Sequence, residues 1–405
     1  MKPARIVPLV LLVALGLILA ASGEGQGWLE GHGFSRAVSS ALSNYLQGLR
    51  EARRAPSGEE SPQPRAPTAV LEPASDDEVL VVAAWSPDGR RLAYGTERRR
   101  EQRRSPLSVY EGPQYTYPGE VWVADFTGKP RRVLKSDILR DREGRFVSFS
   151  VERIAWSPDG AKLLVEIIDE RKTAATFFLT DEGKRVKLGG EGPNVIGGYG
   201  AEWLSDNETA GMLEEAAEPR LLHRVKIVRV AGGRSVPLYE GRVFAAVAWL
   251  PQARKMVGIE RDLDFLRTPA LVVGDLEKGT IQELGPVREY VGGLRATPDE
   301  TKVSYFVGNE KLAVRGLAPI AAVETYPIPL GRYAWAGAGA VLYIEPQKPG
   351  GRVGWLTLFD LATKQKSRLL GDDLVQDFWV TTDGRQVAVL TTGLSPQIKV
   401  YRLQE

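Results

Sequence analysis

Cysteine is absent from this 405-residue chain. That excludes disulfide bracing, thiolate metal sites, a cysteine nucleophile and a lipid attached through an N-terminal cysteine. Histidine is nearly as scarce, with only His32 and His223, which closes most metal and triad chemistry. Neither charge sign prevails: 53 basic and 51 acidic residues leave a net charge of +2. A nucleic-acid partner is therefore not expected, since that footprint is a strongly basic domain. There is no G-x-S-x-G nucleophile elbow, no G-x-x-x-x-G-K-[ST] phosphate loop and no EF-hand-type calcium loop. No catalytic residue, metal or cofactor is expected.

Long apolar runs are missing too, with one exception at the start. Lys2 and Arg5 precede IVPLVLLVALGLILAA (6–21), an order that reads as a secretory signal or an N-terminal membrane anchor. The run is shorter than the roughly 20 residues of a typical spanning helix. Ala20 and Ser22 offer small residues for cleavage, so residues 1–22 are either removed or kept as an anchor. Both readings place the bulk of the chain outside the cytoplasm, secreted to or anchored in the cell envelope, with membrane contact through this segment if it is uncleaved. Within 23–54, Phe34, Val38, Leu42, Tyr45, Leu46 and Leu49 recur at helical spacing and predict an amphipathic helix. The Pro/Ser-rich stretch that follows, 55–66, cannot bury enough apolar surface to fold and reads as a linker. The folded domain is then 67–405.

Within that domain one sentence repeats. AAWSPDGRRLAY at Trp85 returns as IAWSPDGAKLLV at Trp156, AEWLSDNETAGM at Trp203 and VAWLPQARKMVG at Trp249. LRATPDETKVSY at Ala296, YAWAGAGAVLYI at Trp335 and FWVTTDGRQVAV at Val380 continue it. Each line is a turn between two β-type runs, with Pro, Asp and Gly supplying the fixed φ, the local hydrogen bond and the positive φ that tight turns need. About 20 residues later a second pair of runs follows, as in VWVADFTGKPRRVL (121–134) and LVVGDLEKGTIQEL (271–284). Four strands in about 46 residues is the period of a propeller blade. The last line supplies a third strand, IKVYRL (398–403), and no fourth, whereas PTAVLEP (67–73) is a strand with nothing before it. Pairing the two closes a ring and removes the open sheet edges. The expected fold is all-β, a seven-bladed β-propeller of four-stranded blades closed by an N-terminal strand. The recurring tryptophans are expected to pack between adjacent blades.

AWSPDGRRLAY and AWSPDGAKLLV, each followed by a second hairpin, resemble the WD40-like repeats of TolB-like propellers and of the propeller domain in prolyl-oligopeptidase-type peptidases. The resemblance covers about residues 67–405, strongly in the first two repeats and faintly in the other five. It implies a propeller facing the cell envelope that binds proteins or peptides at its rim or central channel. The N-terminal domain that accompanies the propeller in the Tol system is not visible in the sequence.

Two surface features are candidate binding sites. One is an insertion in the first repeat, ERRREQRRSPLSVYEGPQYTYPGE (97–120), which combines Arg98, Arg99, Arg100, Arg103 and Arg104 with Tyr110, Tyr115 and Tyr117. Arg and Tyr are enriched at interface hot spots, and a protein, a peptide or a cell-envelope polymer is the expected partner. The other is a set of carboxylates near the end of the second strand: Asp169, Glu170, Glu214, Glu215, Glu260, Asp262 and Glu345. A ring of them on one face would attract basic peptides or a divalent cation. His223, opening a strand in RLLHRVKIV, reads as structural rather than as a general base. The leading reading is a non-enzymatic binding or assembly module working through its rim loops. The alternative is a hydrolase or lyase with a carboxylate-lined site in the channel.

Overall fold

Runs of β-branched and aromatic residues broken by Ser/Thr-x-Asp turns dictate short antiparallel strands. The computed structural model describes residues 66–403 apart from 76, 99, 103–113, 117–118, 136–148, 170–173, 187–195, 216–221, 231, 233, 263–266, 320, 349, 371–372 and 393–395. The expected signal or anchor, the amphipathic helix and nearly all of the linker lie outside the described residues. No helix among the described residues is long and apolar enough to cross a membrane.

Strand β1 is Ala69–Leu71. The first group then has β2 (Glu78–Trp85), β3 (Leu92–Arg98), a side pair β4 (Arg100–Gln102) and β5 (Gln114–Thr116), β6 (Gly119–Ala124) and β7 (Arg131–Leu134). Its sheet order is β2-β3-β6-β7, every neighbour antiparallel. The second group contains β8 (Phe149–Trp156), β9 (Lys162–Asp169), β10 (Ala174–Thr180) and β11 (Ile196–Gly197). The third contains β12 (Tyr199–Trp203), β13 (Thr209–Glu215), β14 (His223–Arg229) and β15 (Arg234–Leu238). Next come β16 (Val243–Leu250), β17 (Lys255–Arg261), β18 (Ala270–Asp275) and β19 (Ile281–Pro286), then β20 (Tyr290–Ala296), β21 (Lys302–Val307), β22 (Lys311–Gly316) and β23 (Val323–Tyr326). β24 (Tyr333–Trp335), β25 (Ala340–Pro346), β26 (Gly354–Asp360) and β27 (Lys366–Arg368) follow, and β28 (Leu374–Val380), β29 (Gln386–Thr391) and β30 (Ile398–Arg402) end the chain.

The closing strand is where the repeat pattern put it. β1 pairs antiparallel with β30, with Ala69 opposite Val400, Val70 opposite Lys399 and Leu71 opposite Ile398. Thr68 adds a backbone N–H to the Val400 carbonyl at 2.7 Å.

Apolar side chains pack between successive groups. Leu80, Trp85 and Tyr94 of the first group share a buried cluster with Trp379, Leu390 and Val400 of the last and with Leu71 of β1. Val121 and Leu134 pack against Phe149, Trp156 and Phe177 of the second group. Comparable clusters join the second to the third, the third to the fourth, and so on to the last. The first strands of neighbouring groups also touch, β2 meeting both β8 and β28. An aromatic residue buried in each such seam removes 150–250 Å² from water.

The turns explain the recurring Ser/Thr-x-Asp. Ser86 Oγ donates to Asp88 Oδ1 at 2.5 Å, and the same bond recurs from Ser157 to Asp159, from Thr297 to Asp299 and from Thr381 to Asp383. The residue after the aspartate takes positive φ: Gly89 at 66°, Gly160 at 69° and Gly384 at 72°, with Glu300 at 56° where the sequence lacks glycine. These turns bond across seams as well. Arg91 pairs with Asp181 at 2.8 Å and donates to the Gly160 carbonyl, while Glu300 accepts from the backbone N–H groups of Gln252 and Ala253, both at 2.8 Å.

One outer strand differs from expectation. By the repeat pattern FFLTDEGKRVKL (177–188) reads as two runs split by a turn, the second being the outer strand. Its described part is a single bridge between Leu179 and Arg185, and the two-residue β11 takes up the remaining edge of β10. Gly183, at φ 86° and with no room for a Cβ beside Val133, makes the turn there.

Candidate functional site

Side chains alternate across a strand, so residues one and three positions before the repeat's aligned residue share a face of the first strand. In several groups this strand carries a register shift just before the inner of these positions: between Leu80 and Val82, Val151 and Arg153, Phe244 and Ala246, and Val375 and Asp377. Bulges re-aim side chains and increase twist. The cavity they face has two adjoining compartments of about 790 Å³ and 340 Å³, and Arg153, Glu202 and Arg295 line both. Trp156, Trp203, Trp249 and Trp335 line the larger one.

The tryptophans act as straps. Trp85 Nε1 donates to the Trp379 carbonyl at 3.0 Å, Trp156 Nε1 to Ala84 at 3.0 Å and Trp249 Nε1 to Gly200 at 2.8 Å. Each bond crosses to the first strand of the preceding group, so the expected packing role is joined by a hydrogen bond. Trp203 and Trp335 depart from this: their buried Nε1 atoms have no partner among the described residues.

The cavity's charges are unequally matched. Arg153 bonds the Glu202 carboxylate and lies 3.6 Å from Glu166 Oε1. Burial pushes the Glu166 carboxyl above its usual range, and Arg153 and the Ala201 and Gly200 N–H groups pull partly against it. Arg332 Nε meets Asp377 Oδ1 at 2.7 Å. Arg295 has no carboxylate within ion-pair distance among the described residues. Its guanidinium sits over the Tyr333 ring, 5.2 Å from the centroid. Tyr333 is held in turn by its bond to the Gly293 carbonyl and by Ser304 Oγ at 2.9 Å.

Arg295 lines the cavity and is exposed to solvent there. The surrounding protein, then the charges of Arg332 and Arg153, push its pKa down, and Tyr333 and Asp377 oppose the shift. A guanidinium nevertheless stays protonated. Gly292 and Gly293 set its position. They carry φ of 149° and 72° within two register shifts of β20, and a Cβ on Gly293 would stand 2.7 Å from Phe306.

The candidates named from sequence fall elsewhere. Arg98 ends β3, and Arg100 and Tyr115 lie on β4 and β5, a two-stranded extension in which Glu101 faces Tyr115. Arg99, Arg103, Arg104, Tyr110, Tyr117 and Glu170 lie outside the described residues. Asp169, Glu214, Glu215, Glu260 and Glu345 sit at the ends of their second strands, with Asp262 just beyond. Several are partnered within their own group: Glu260 with Arg242 at 2.8 Å, Glu345 with Lys366 at 2.6 Å and Glu214 with Lys226 at 3.9 Å. Asp262 accepts from the Arg267 N–H at 3.2 Å. Among the described residues no three His, Asp or Glu side chains gather as a metal site. His223 opens β14 and bonds the Tyr199 hydroxyl. Burial lowers its pKa, and Glu215 opposes the shift.

Sequence reasoning missed the cavity charges, although their signal was in the aligned lines. RIAW, AEW, LRA, RYAW and DFWV place Arg153, Glu202, Arg295, Arg332 and Asp377 one or three residues before the aligned position. An inward charge on an otherwise apolar first strand is the mark to look for.

No family model matches the chain, and no curated protein matches it. Among solved structures it is similar to a chain of the mitotic checkpoint complex, with a TM-score of 0.53 at 12% identity over 87% of this chain and 98% of that one. It is also similar to the C-terminal WD40 domain of Sif2, with a TM-score of 0.50 at 15% identity over 84% of each chain. At such identities the likeness is one of fold: the described region is a WD40-like β-propeller.

Proposed function

We propose that this chain is a non-enzymatic binding or assembly module, a seven-bladed propeller held outside the cytoplasm by or near its N-terminal segment. The pairing of β1 with β30 carries the reading, because closing the sheet edge makes a rigid platform that presents its loops in fixed relative positions. The seven repeat lines and the clusters linking each strand group to the next support the blade number. The WD40-like fold is one that, in the mitotic checkpoint complex, sits within a protein assembly. The TolB-like relation rests on the AWSPDG repeats, and the envelope location on the basic and apolar start of the sequence. The carboxylate-based enzyme reading finds little support in the cavity, where Glu202 and Asp377 are each bonded to an arginine.

The partner surface assigned here is the 97–120 insertion, whose β4–β5 pair extends beyond the first group's sheet. Replacing Arg98, Arg99, Arg100, Arg103 and Arg104 together with serine tests it by crosslinking in intact cells of the source organism. Loss of the main crosslinked protein, with unchanged thermal unfolding, is expected. An unchanged crosslinking pattern would overturn the insertion as the binding surface.

A further inference from the structure

We propose that the outer edge of β23 is where two copies of this chain join, strand against strand, in a closed dimer. The surface lies apart from the insertion and does not depend on the function proposed above. An edge strand presents unpaired N–H and C=O groups, and folds blunt it with charge, proline, a bulge or brevity. The other described outer strands all carry such a guard. β7 has Arg131 and Arg132, β27 has Lys366 and Arg368, and β15 has Arg234 and Pro237. β19 contains Glu283 and a register shift beside Gly285, whose φ is 129°. β1 is flanked on both sides by proline, Pro67 and Pro73, and β11 has only two residues.

β23 (VETY) lacks these guards, and Pro327 closes it at one end only. Its single charge is Glu324, whose carboxylate accepts from the Tyr326 hydroxyl. Ala322, Val323, Glu324 and Thr325 are exposed. Val323, at 48%, is the most exposed large hydrophobic side chain among the described residues. Tyr326 anchors the strand, buried in the seam with the next group, its ring centroid 5.8 Å from that of Phe359. One side of β23 pairs with β22, and no described strand pairs with the other.

Register and charge select a second copy as the occupant. Opposed residues in an antiparallel pair are both hydrogen-bonded or both not. Two identical edges related by a two-fold axis therefore set one residue opposite itself. Of the two central residues, Glu324 on the axis would oppose two carboxylates, which is destabilising. Thr325 on the axis sets threonine against threonine and Glu324 against the partner's Tyr326, with Val323 diagonal to the partner's Thr325. Threonine pairs and apolar neighbours of this kind stabilise a sheet. The same self-pairing at β7 or β27 would gather arginines or lysines. Because one edge per ring is unguarded, the assembly closes as a two-fold dimer and does not grow into a filament.

The test uses the full-length protein in detergent. Sedimentation across a concentration series should show a monomer–dimer equilibrium. Val323→Lys with Thr325→Lys, both at exposed positions, should raise its dissociation constant about tenfold or more and leave thermal unfolding unchanged. The chain has no cysteine, so Thr325→Cys reports the pairing directly. Opposed side chains stand about 5 Å apart, and a short bis-maleimide should link this variant into dimers. Val236→Cys, on the exposed edge strand β15, should stay monomeric under the same treatment. A parent protein that is monomeric up to its solubility limit overturns the proposal. So does Thr325→Cys linking no better than Val236→Cys, or a dimer that the lysine pair leaves intact, since the contact then lies on another surface. The five-serine insertion variant should dimerise like the parent, so this surface and the insertion can fail independently.

Discussion

The rim where the second strands end and the cavity bounded by the first strands are both rich in charge, yet they differ in how it is matched. On the rim, Glu260, Glu345 and Glu214 face basic residues of the same group, and these are partly exposed pairs. In the cavity Arg153 pairs with both Glu202 and Glu166 and Arg332 with Asp377, whereas Arg295 makes no ion pair among the described residues. The contrast teaches that residue type alone does not mark a site. Which acid an arginine meets is set by the fold and not by its type.

Stability measurements can break or sharpen this comparison. The largest effect is expected at Arg153. Arg153→Met leaves Glu202 and Glu166 without their cation, and urea unfolding should show a loss of about 2–3 kcal/mol, discounted from a fully buried pair because a third of the side chain meets channel water. Arg295→Met removes a cation with no acid, and should change stability by less than about 0.5 kcal/mol or raise it. Equal losses from the two would dissolve the distinction between matched and unmatched arginines.

Next in size is the strap. Trp85→Phe and Trp203→Phe both shrink a buried ring, but only the first also gives up a hydrogen bond across a seam. Thermal unfolding should place Trp85→Phe lower by about 1 kcal/mol.

Smaller still is a pH effect at His223. Its folded pKa lies below the usual value of 6.5 because burial disfavours the charged ring. The unfolded chain therefore binds the proton first, and stability present above pH 6.5 declines as pH falls through the folded value. His223→Gln should flatten that decline between pH 7 and pH 5. The Asp206 carboxyl titrates well below this window. Burial pushes it up, but Arg254, Thr209 and two backbone N–H groups draw it down to about 2. The smallest effect is predicted at the rim, where Glu260→Gln should cost less than about 0.5 kcal/mol despite its 2.8 Å pair with Arg242.

The repeating architecture was legible because its signals are local. Ser86-x-Asp88-Gly89 builds its turn from adjacent residues, and the missing last strand at one terminus is answered by the surplus strand at the other. The outer strand after β10 was less legible, since its described residues form a turn and one bridge at Arg185. The cavity's arginines escaped notice for a different reason. Arg153 and Arg295 belong to strands 142 positions apart in chain numbering, and no local pattern tells which arginine meets an acid. Carboxylates such as Glu345 drew attention by type, while their partners, Lys366 two strands away among them, are not registered by period alone.

Because the chain has no cysteine of its own, ring closure can be tested by a single engineered pair. Val70→Cys with Lys399→Cys places two thiols directly opposite in the β1–β30 register, within the spacing a disulfide spans. Under mild oxidation, peptide mass spectrometry should find the 70–399 disulfide within monomers in near-complete yield. Thiols that stay free, or that join only between molecules, would contradict a ring locked by its two ends.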